Sequence, residues 1–367
     1  FWLKPLRLKS VRAHPLPAVC GAGGSHALRT GLGGAAGLPE RALGMAGEDE
    51  AELPPQALSE PLVELSGLGR TVDGTGYVYQ EVACVGKRIN QIKAIEAYAH
   101  VQKLDLSANL IKDIAPLRGL RYLVKLNLSQ NAIVSLKGLE SEAEEEEEPP
   151  LPHLQHLDLS DNVLTALAPL KLQALRTLSL ARNQIASCQD FAGHERLEAL
   201  DLSGNQLQSL AGVAGMPALA KLSVAANQLG SIEGLAEVPA LRELDLSANR
   251  LQGLDGPWAD FPELGSLDLS ANELQAIRSL EVLRQLPKLR SLDARGNPCV
   301  LEAESVGPPV MAQLLVCHWR LTTVNGAAVA DGDLEAAREL NVARMLEDRE
   351  RLKAEQDAAA AAEGGED

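Results

Sequence analysis

The chain has 367 residues and a formal net charge of −16, which repels phosphate backbones and excludes direct nucleic-acid binding as its main activity. Aromatic residues make up 3% of the composition and hydrophobic residues 46%, so the interior must be built from Leu, Ile, Val and Ala, as in a core that grows along one dimension. The cysteines Cys20, Cys84, Cys188, Cys299 and Cys317 lack zinc-type spacing, and there is no run of about eighteen apolar residues, so the sequence predicts reduced thiols, a cytoplasmic setting and no membrane contact.

Residues 1–44 are basic and acid-poor, with Lys4, Arg7, Lys9, Arg12, Arg29 and Arg41 set against the single acid Glu40. They read as a disordered leader, or as a product of the gene model ahead of Met45; the alternative is a transit peptide. Residues 45–81 form an acidic N-terminal arm or cap. Its apolar stretch, Leu58, Leu62, Val63, Leu65 and Leu68, is spaced for a brief helix.

From here one phrase recurs: KLDLSANLI at 103, KLNLSQNAI at 125, HLDLSDNVL at 156, TLSLARNQI at 177 and ALDLSGNQL at 199. It continues as KLSVAANQL at 221, ELDLSANRL at 243, SLDLSANEL at 266 and SLDARGNPC at 291. Its asparagines are Asn109, Asn131, Asn162, Asn183, Asn205, Asn227, Asn249, Asn272 and Asn297, spaced mostly by 22 residues. A degenerate copy precedes them from Ala83, with Lys87 at the asparagine position and Ile89 and Ile92 as the apolar pair. In each copy the two leucines of LxL point inward from a short strand, and copies stack as a parallel sheet. The asparagine amide then satisfies backbone groups that the following bend would leave unpaired. The second half of each copy is short and rich in Pro and Gly, which predicts short helical or 3₁₀ turns on the convex side. Residues 82–300 thus form an α/β solenoid.

Between Asn131 and Asn162 the spacing is 31, and the excess at 140–150 carries Glu140, Glu142, Glu144, Glu145, Glu146, Glu147 and Glu148. Such a run must leave the convex side as an exposed loop, either as a contact for a basic surface or as a solvated insertion. Residues 301–330 are the C-terminal cap, in which an apolar helix from Val310 to Val316 covers the last leucine layer and Cys299 and Trp319 belong to the core. Residues 331–367 form a charged helical tail with Leu340, Val342, Met345, Leu346 and Leu352 in a partial stripe. The tail either docks a partner or is solvated.

Function is expected on the concave face, where residues flanking the core leucines stand side by side. The column between the leucines reads Asp105, Asn127, Asp158, Ser179, Asp201, Ser223, Asp245, Asp268, Asp293, an acidic stripe edged by Lys103, Lys125 and Lys221. These side chains are the candidate partner-binding set, although such an Asp also suits a local hydrogen bond to its neighbours. The carboxylates run in a line and enclose no point, which disfavours a metal site. No nucleophile stands beside the histidines and no phosphate loop is present, so the expectation is a binding protein with no catalytic residues, no cofactor and no small-molecule substrate.

The template resembles the twenty-two-residue leucine-rich-repeat family, which includes a protein phosphatase regulatory subunit, axonemal dynein light chain 1 and a spliceosomal leucine-rich protein. The resemblance covers residues 83 to about 326 and implies a leucine-rich-repeat horseshoe. The upstream ALSEPLVELSGLGRTVDGTGYVYQEV and the closing LRQLPKLRSLDARGNPC resemble radial-spoke members of that family in motile cilia and flagella; the Glu-run insertion and the regular LDLS copies depart from them. This likeness implies a structural component of the axoneme, with other radial spoke or axonemal proteins as partners. The alternative it leaves open is a regulatory subunit gripping a phosphatase catalytic subunit through the concave face.

Overall fold

A computed structural model describes residues 54–70, 76–139, 149–167, 169–170, 172–189, 191, 194–305 and 308–363. The leader and the glutamate run at 140–148 lie outside the described residues.

The N-terminal part supplies β1 (Gln56–Ala57), the hairpin strands β2 (Glu64–Arg70) and β3 (Tyr77–Ala83), and β4 (Ile89–Gln91), which pairs with β1. The brief helix expected over Leu58 to Leu68 is absent. A 3₁₀ turn at Glu60–Leu62 leads instead into β2, which pairs antiparallel with β3 from Glu64↔Ala83 to Arg70↔Tyr77. Gly67 and Gly69 weaken a helix there, and pairing with β3 satisfies the backbone groups on the inner edge of the strand.

Each repeated phrase then forms a three-residue strand: β5 (Lys103–Asp105), β6 (Lys125–Asn127), β7 (His156–Asp158), β8 (Thr177–Ser179) and β9 (Ala199–Asp201). The series goes on through β10 (Lys221–Ser223), β11 (Glu243–Asp245), β12 (Ser266–Asp268) and β13 (Ser291–Asp293). They pair parallel in chain order, with β3 beside β5 and Val82 opposite Leu104. The register never slips: Leu104, Leu126, Leu157, Leu178, Leu200, Leu222, Leu244, Leu267 and Leu292 form one row, each at most 2% exposed. A slip by one residue would turn that row to solvent, which is why the register is so strongly specified.

Behind the strands each copy contributes further buried residues, such as Leu106, Ile111, Ile114, Leu117, Leu120 and Leu123 in one layer. The convex turns are 3₁₀ where they are helical at all, at Lys93–Ala97, Ala115–Gly119, Trp258–Asp260 and Ile277–Gln285. Gly212 shows how closely these turns stack. A Cβ there would lie 2.0 Å from the Cys188 carbonyl oxygen, and its φ of +94° is one that side chains disfavour.

The asparagines fix the bend after each strand. Asn227 is representative: its Nδ2 donates to the carbonyls of Leu202, Val224 and Ala225 at 3.0, 3.0 and 3.1 Å, and its Oδ1 accepts from the Leu207 N–H at 3.0 Å. Leu202 and Leu207 belong to the preceding copy, so each amide ties two copies together. Equivalent bonds are made by Asn109, Asn131, Asn162, Asn183, Asn205, Asn249, Asn272 and Asn297. The ladder also crosses the long insertion, where Ile133 N–H reaches Asn162 Oδ1 at 3.1 Å. The residue before the asparagine sits at positive φ in every copy, and at Ala108, Ala226, Ala248 and Ala271 it is alanine with φ between 53° and 56°. That conformation costs about 1–2 kcal/mol for an L-residue, and the amide bonds on either side hold it.

The C-terminal end is built from α1 (Pro298–Ser305), α2 (Val310–Cys317), the short strands β14 (Thr323–Val324) and β15 (Ala327–Ala328), and α3 (Asp331–Glu363). Leu314, Leu315, Val316 and Cys317 of α2 are buried, as is Cys299. Trp319, expected in the core, is 40% exposed. The backbone leaves α2 in an extended conformation at His318, so inward and outward sides alternate: His318 turns in, its Nε2 2.9 Å from the Leu286 carbonyl oxygen, and Trp319 turns out.

Candidate partner-binding surface

Alternation along each strand sends its middle leucine into the core and its first and third residues to the concave face. The third-position column therefore holds the predicted aspartates, and the first-position column holds Lys103, Lys125, His156, Thr177, Ala199, Lys221, Glu243, Ser266 and Ser291. Curvature of the sheet brings much of this set around one groove of about 850 Å³. Its lining includes Lys103, Lys125, Lys221, Asp158, Asp201, Asp245 and Asp268. Asp105, Asn127 and Asp293 share the face but not the lining.

The aspartates have a structural task beside any binding one. One oxygen of each accepts the N–H two residues on: Asp158 from Ser160 at 2.9 Å, Asp201 from Ser203 at 2.9 Å, Asp245 from Ser247 at 3.0 Å and Asp268 from Ser270 at 2.8 Å. Asp105 and Asn127 do the same with Ser107 and Ser129, each at 3.0 Å. These local bonds start the turn that the asparagine completes, and they orient the carboxylates along the sheet.

Charge on the face is partly paired. Lys103 Nζ lies 2.6 Å from Glu81 and Lys221 Nζ 2.7 Å from Glu243, both exposed and weak contributors to stability. His156 Nδ1 and Thr177 Oγ1 meet at 2.7 Å across neighbouring strands. Asp293 is held by Arg295; burial works to raise its pKa, but the Arg295 hydrogen bonds and charge outweigh burial and keep it below the ordinary value.

Reactive chemistry has little to work with among the described residues. Cys84, Cys188, Cys299 and Cys317 are free and buried. Burial pushes the Cys188 thiol up to about 12 and Cys317 to about 11, so both stay protonated near neutrality. Among the described residues no group of three His, Cys, Asp or Glu side chains is placed to hold a metal ion. No helix there is long and apolar enough to cross a membrane.

Sequence reasoning missed one feature of this surface. At the N-terminal end the hairpin exposes Leu68, Tyr77 and Tyr79, with the Arg70 guanidinium 5.9 Å from the Tyr77 ring centroid. The alternation in YVYQEV was the available signal for a strand.

The sequence matches to known families agree with the fold. The family described as leucine rich repeat matches residues 173–229 and 239–298, and a two-copy form of it matches 152–193. The chain carries leucine-rich repeats. Human leucine-rich repeat-containing protein 23 is 30% identical over 133 residues, 36% of this chain and 36% of that protein. The bovine protein of the same name is 29% identical over 143 residues, 34% of this chain and 42% of its own length. A human leucine-rich repeat and guanylate kinase domain-containing protein is 39% identical over 71 residues, 19% of this chain and 9% of the relative. The matches thus span less than half the length of each of these relatives. Among solved structures, an internalin of Listeria monocytogenes covers 70% of this chain and 92% of its own at 19% identity and a TM-score of 0.33. The LRIM1/APL1C complex gives 66% and 47% coverage, 22% identity and a TM-score of 0.49.

Proposed function

We propose that this leucine-rich-repeat chain is a non-catalytic scaffold that holds protein partners on its concave face, as a structural component of the radial spokes or a neighbouring axonemal complex in motile cilia and flagella. The observation that carries the scaffold reading is the concave sheet itself: an open, in-register row of polar and charged side chains beside a groove, with Cys84, Cys188, Cys299 and Cys317 buried. Such a surface recognises an extended or convex protein face by many modest contacts. The axonemal assignment rests on the likeness of the lead-in and the closing repeat to radial-spoke relatives, supported by about 30% identity to leucine-rich repeat-containing protein 23 over a third of the chain. In this reading Asp158, Asp201, Asp245 and Asp268 favour a partner with basic side chains.

Affinity purification of the tagged chain from ciliated and non-ciliated cells tests the assignment. Recovery of spoke proteins from ciliated cells, lost when Asp245 and Asp268 are both changed to Lys, is the expected result. Recovery of a phosphatase catalytic subunit or of splicing factors, with no spoke protein, would sink it.

A further inference from the structure

β2 is the outermost strand at the N-terminal edge of the long sheet, and no strand pairs with its outer side among the described residues. An open edge of this kind offers outward N–H and C=O groups to another strand. The surrounding side chains are apolar and exposed: Leu68 is 65% exposed and Tyr77 67%, and Leu65 and Tyr79 are exposed to a lesser degree.

The order of residues on β2 says which strand fits. It reads Glu64, Leu65, Ser66, Gly67, Leu68, Gly69, Arg70, with its two charges at opposite ends. Laid antiparallel against an identical strand with Gly67 at the centre, Glu64 of one copy faces Arg70 of the other, and this happens twice. Ser66 then faces Leu68, and the two Leu68 side chains become diagonal neighbours within reach of each other. A shift of register by two residues breaks both charge pairs. On the other face Leu65 is the only side chain this central stretch contributes, and the Gln80 and Glu81 side chains of β3 lie over Gly69 and Gly67. Glu64 is already poised at the surface: its carboxylate is 72% exposed, with Lys87 at 3.5 Å as its ion-pair partner.

We propose that the N-terminal hairpin is a self-association surface, through which two copies of this chain pair antiparallel along β2 about a twofold axis at Gly67, with Glu64 and Arg70 as reciprocal cross-strand partners. The two sheets then run on through the contact, and Tyr77 and Tyr79 of both copies lie on the same side of the joined strands.

Sedimentation equilibrium of the full chain tests this. The wild-type chain is expected to show a concentration-dependent monomer–dimer equilibrium. Arg70→Glu sets like charges opposite each other at both positions and weakens association roughly tenfold. Glu64→Arg does the same, although it also meets Lys87, so Arg70→Glu decides. The double variant Glu64→Arg with Arg70→Glu restores the charge pairs and with them the wild-type association, and circular dichroism confirms that each variant is folded. A mass of one chain at every concentration overturns the proposal. So does association that Arg70→Glu leaves unchanged, or that the double swap fails to recover.

Discussion

The two ends of the sheet stop in different ways. At the C-terminal end the last leucine layer is covered: α2 lays Leu314 and Leu315 over it, β14 pairs with β13 and turns back through β15, and α3 packs on α2. Polar contacts lock that cover, with Arg284 donating to the carbonyls of Val316 and Cys317 at 3.0 and 3.2 Å and Arg344 to Gln313 Oε1 at 3.1 Å. At the N-terminal end the sheet closes with a hairpin whose Leu65, Leu68, Tyr77 and Tyr79 face solvent. A solenoid must hide its terminal layers or use them. The first layer, with Leu58, Val82, Cys84 and Ile89, is buried as well, but among the described residues the hairpin beyond it stays exposed, so the two ends should respond unequally to substitution.

The middle of the array sets the scale. Asn227→Ala removes four hydrogen bonds from a buried bend and is expected to cost about 4 kcal/mol in urea denaturation, the largest single effect. A loss below about 1 kcal/mol would mean that water replaces the amide and that the ladder is not what joins the copies. Leu315→Ala in the cap should cost about 3 kcal/mol by opening a cavity, whereas Leu68→Ala in the hairpin should stay within about 0.5 kcal/mol. Equal losses at the two positions would break the contrast between the ends. Asn325→Ala is smaller. Its Oδ1 accepts the Ala294 N–H at 2.9 Å, a single bond among the described residues, so about 1 kcal/mol is expected.

The finest contrast is in pH. Burial lowers the pKa of His318, and its Nδ1 is enclosed without a partner. The folded pKa lies below the unfolded value of about 6.5, so the unfolded chain binds the proton more tightly. The contribution of neutral His318 is therefore complete above that value and is lost as pH falls toward the folded pKa. The melting temperature should drop between about pH 7 and about pH 5, and less steeply in His318→Gln. If His318→Gln follows the wild-type curve, another group carries the acid sensitivity.

How legible this was in the sequence depended on repetition. The strands, the leucine row and the asparagine bonds could be read because each copy repeats the same spacing, and many copies outvote one irregularity. The N-terminal hairpin appears once. Its apolar residues Leu58, Leu62, Val63, Leu65 and Leu68 lie at three- and four-residue intervals, which imitates a helix, while Gly67 and Gly69 were the local objection. In the cap, Asn325 follows Val324 directly and so does not match the template, and its Oδ1 accepts the Ala294 N–H where in earlier copies, as at Leu269, a strand carbonyl does so. The exchange of Trp319 for His318 turned on a single extended residue after α2, which no periodicity announces. On the concave face the columns were legible from alternation, but which members share the groove depends on the curvature of the whole stack.

Every asparagine of the ladder reaches backward, accepting an N–H from the copy before its own. During synthesis, then, the newest copy to emerge from the ribosome always holds a donor whose acceptor has not yet been made. Each unit is completed by its successor, and within the ladder the wait is longest where Ile133 must pause for Asn162 across the glutamate run. Asn325 comes later still, after α1 and α2, and only then does the Ala294 N–H gain its acceptor.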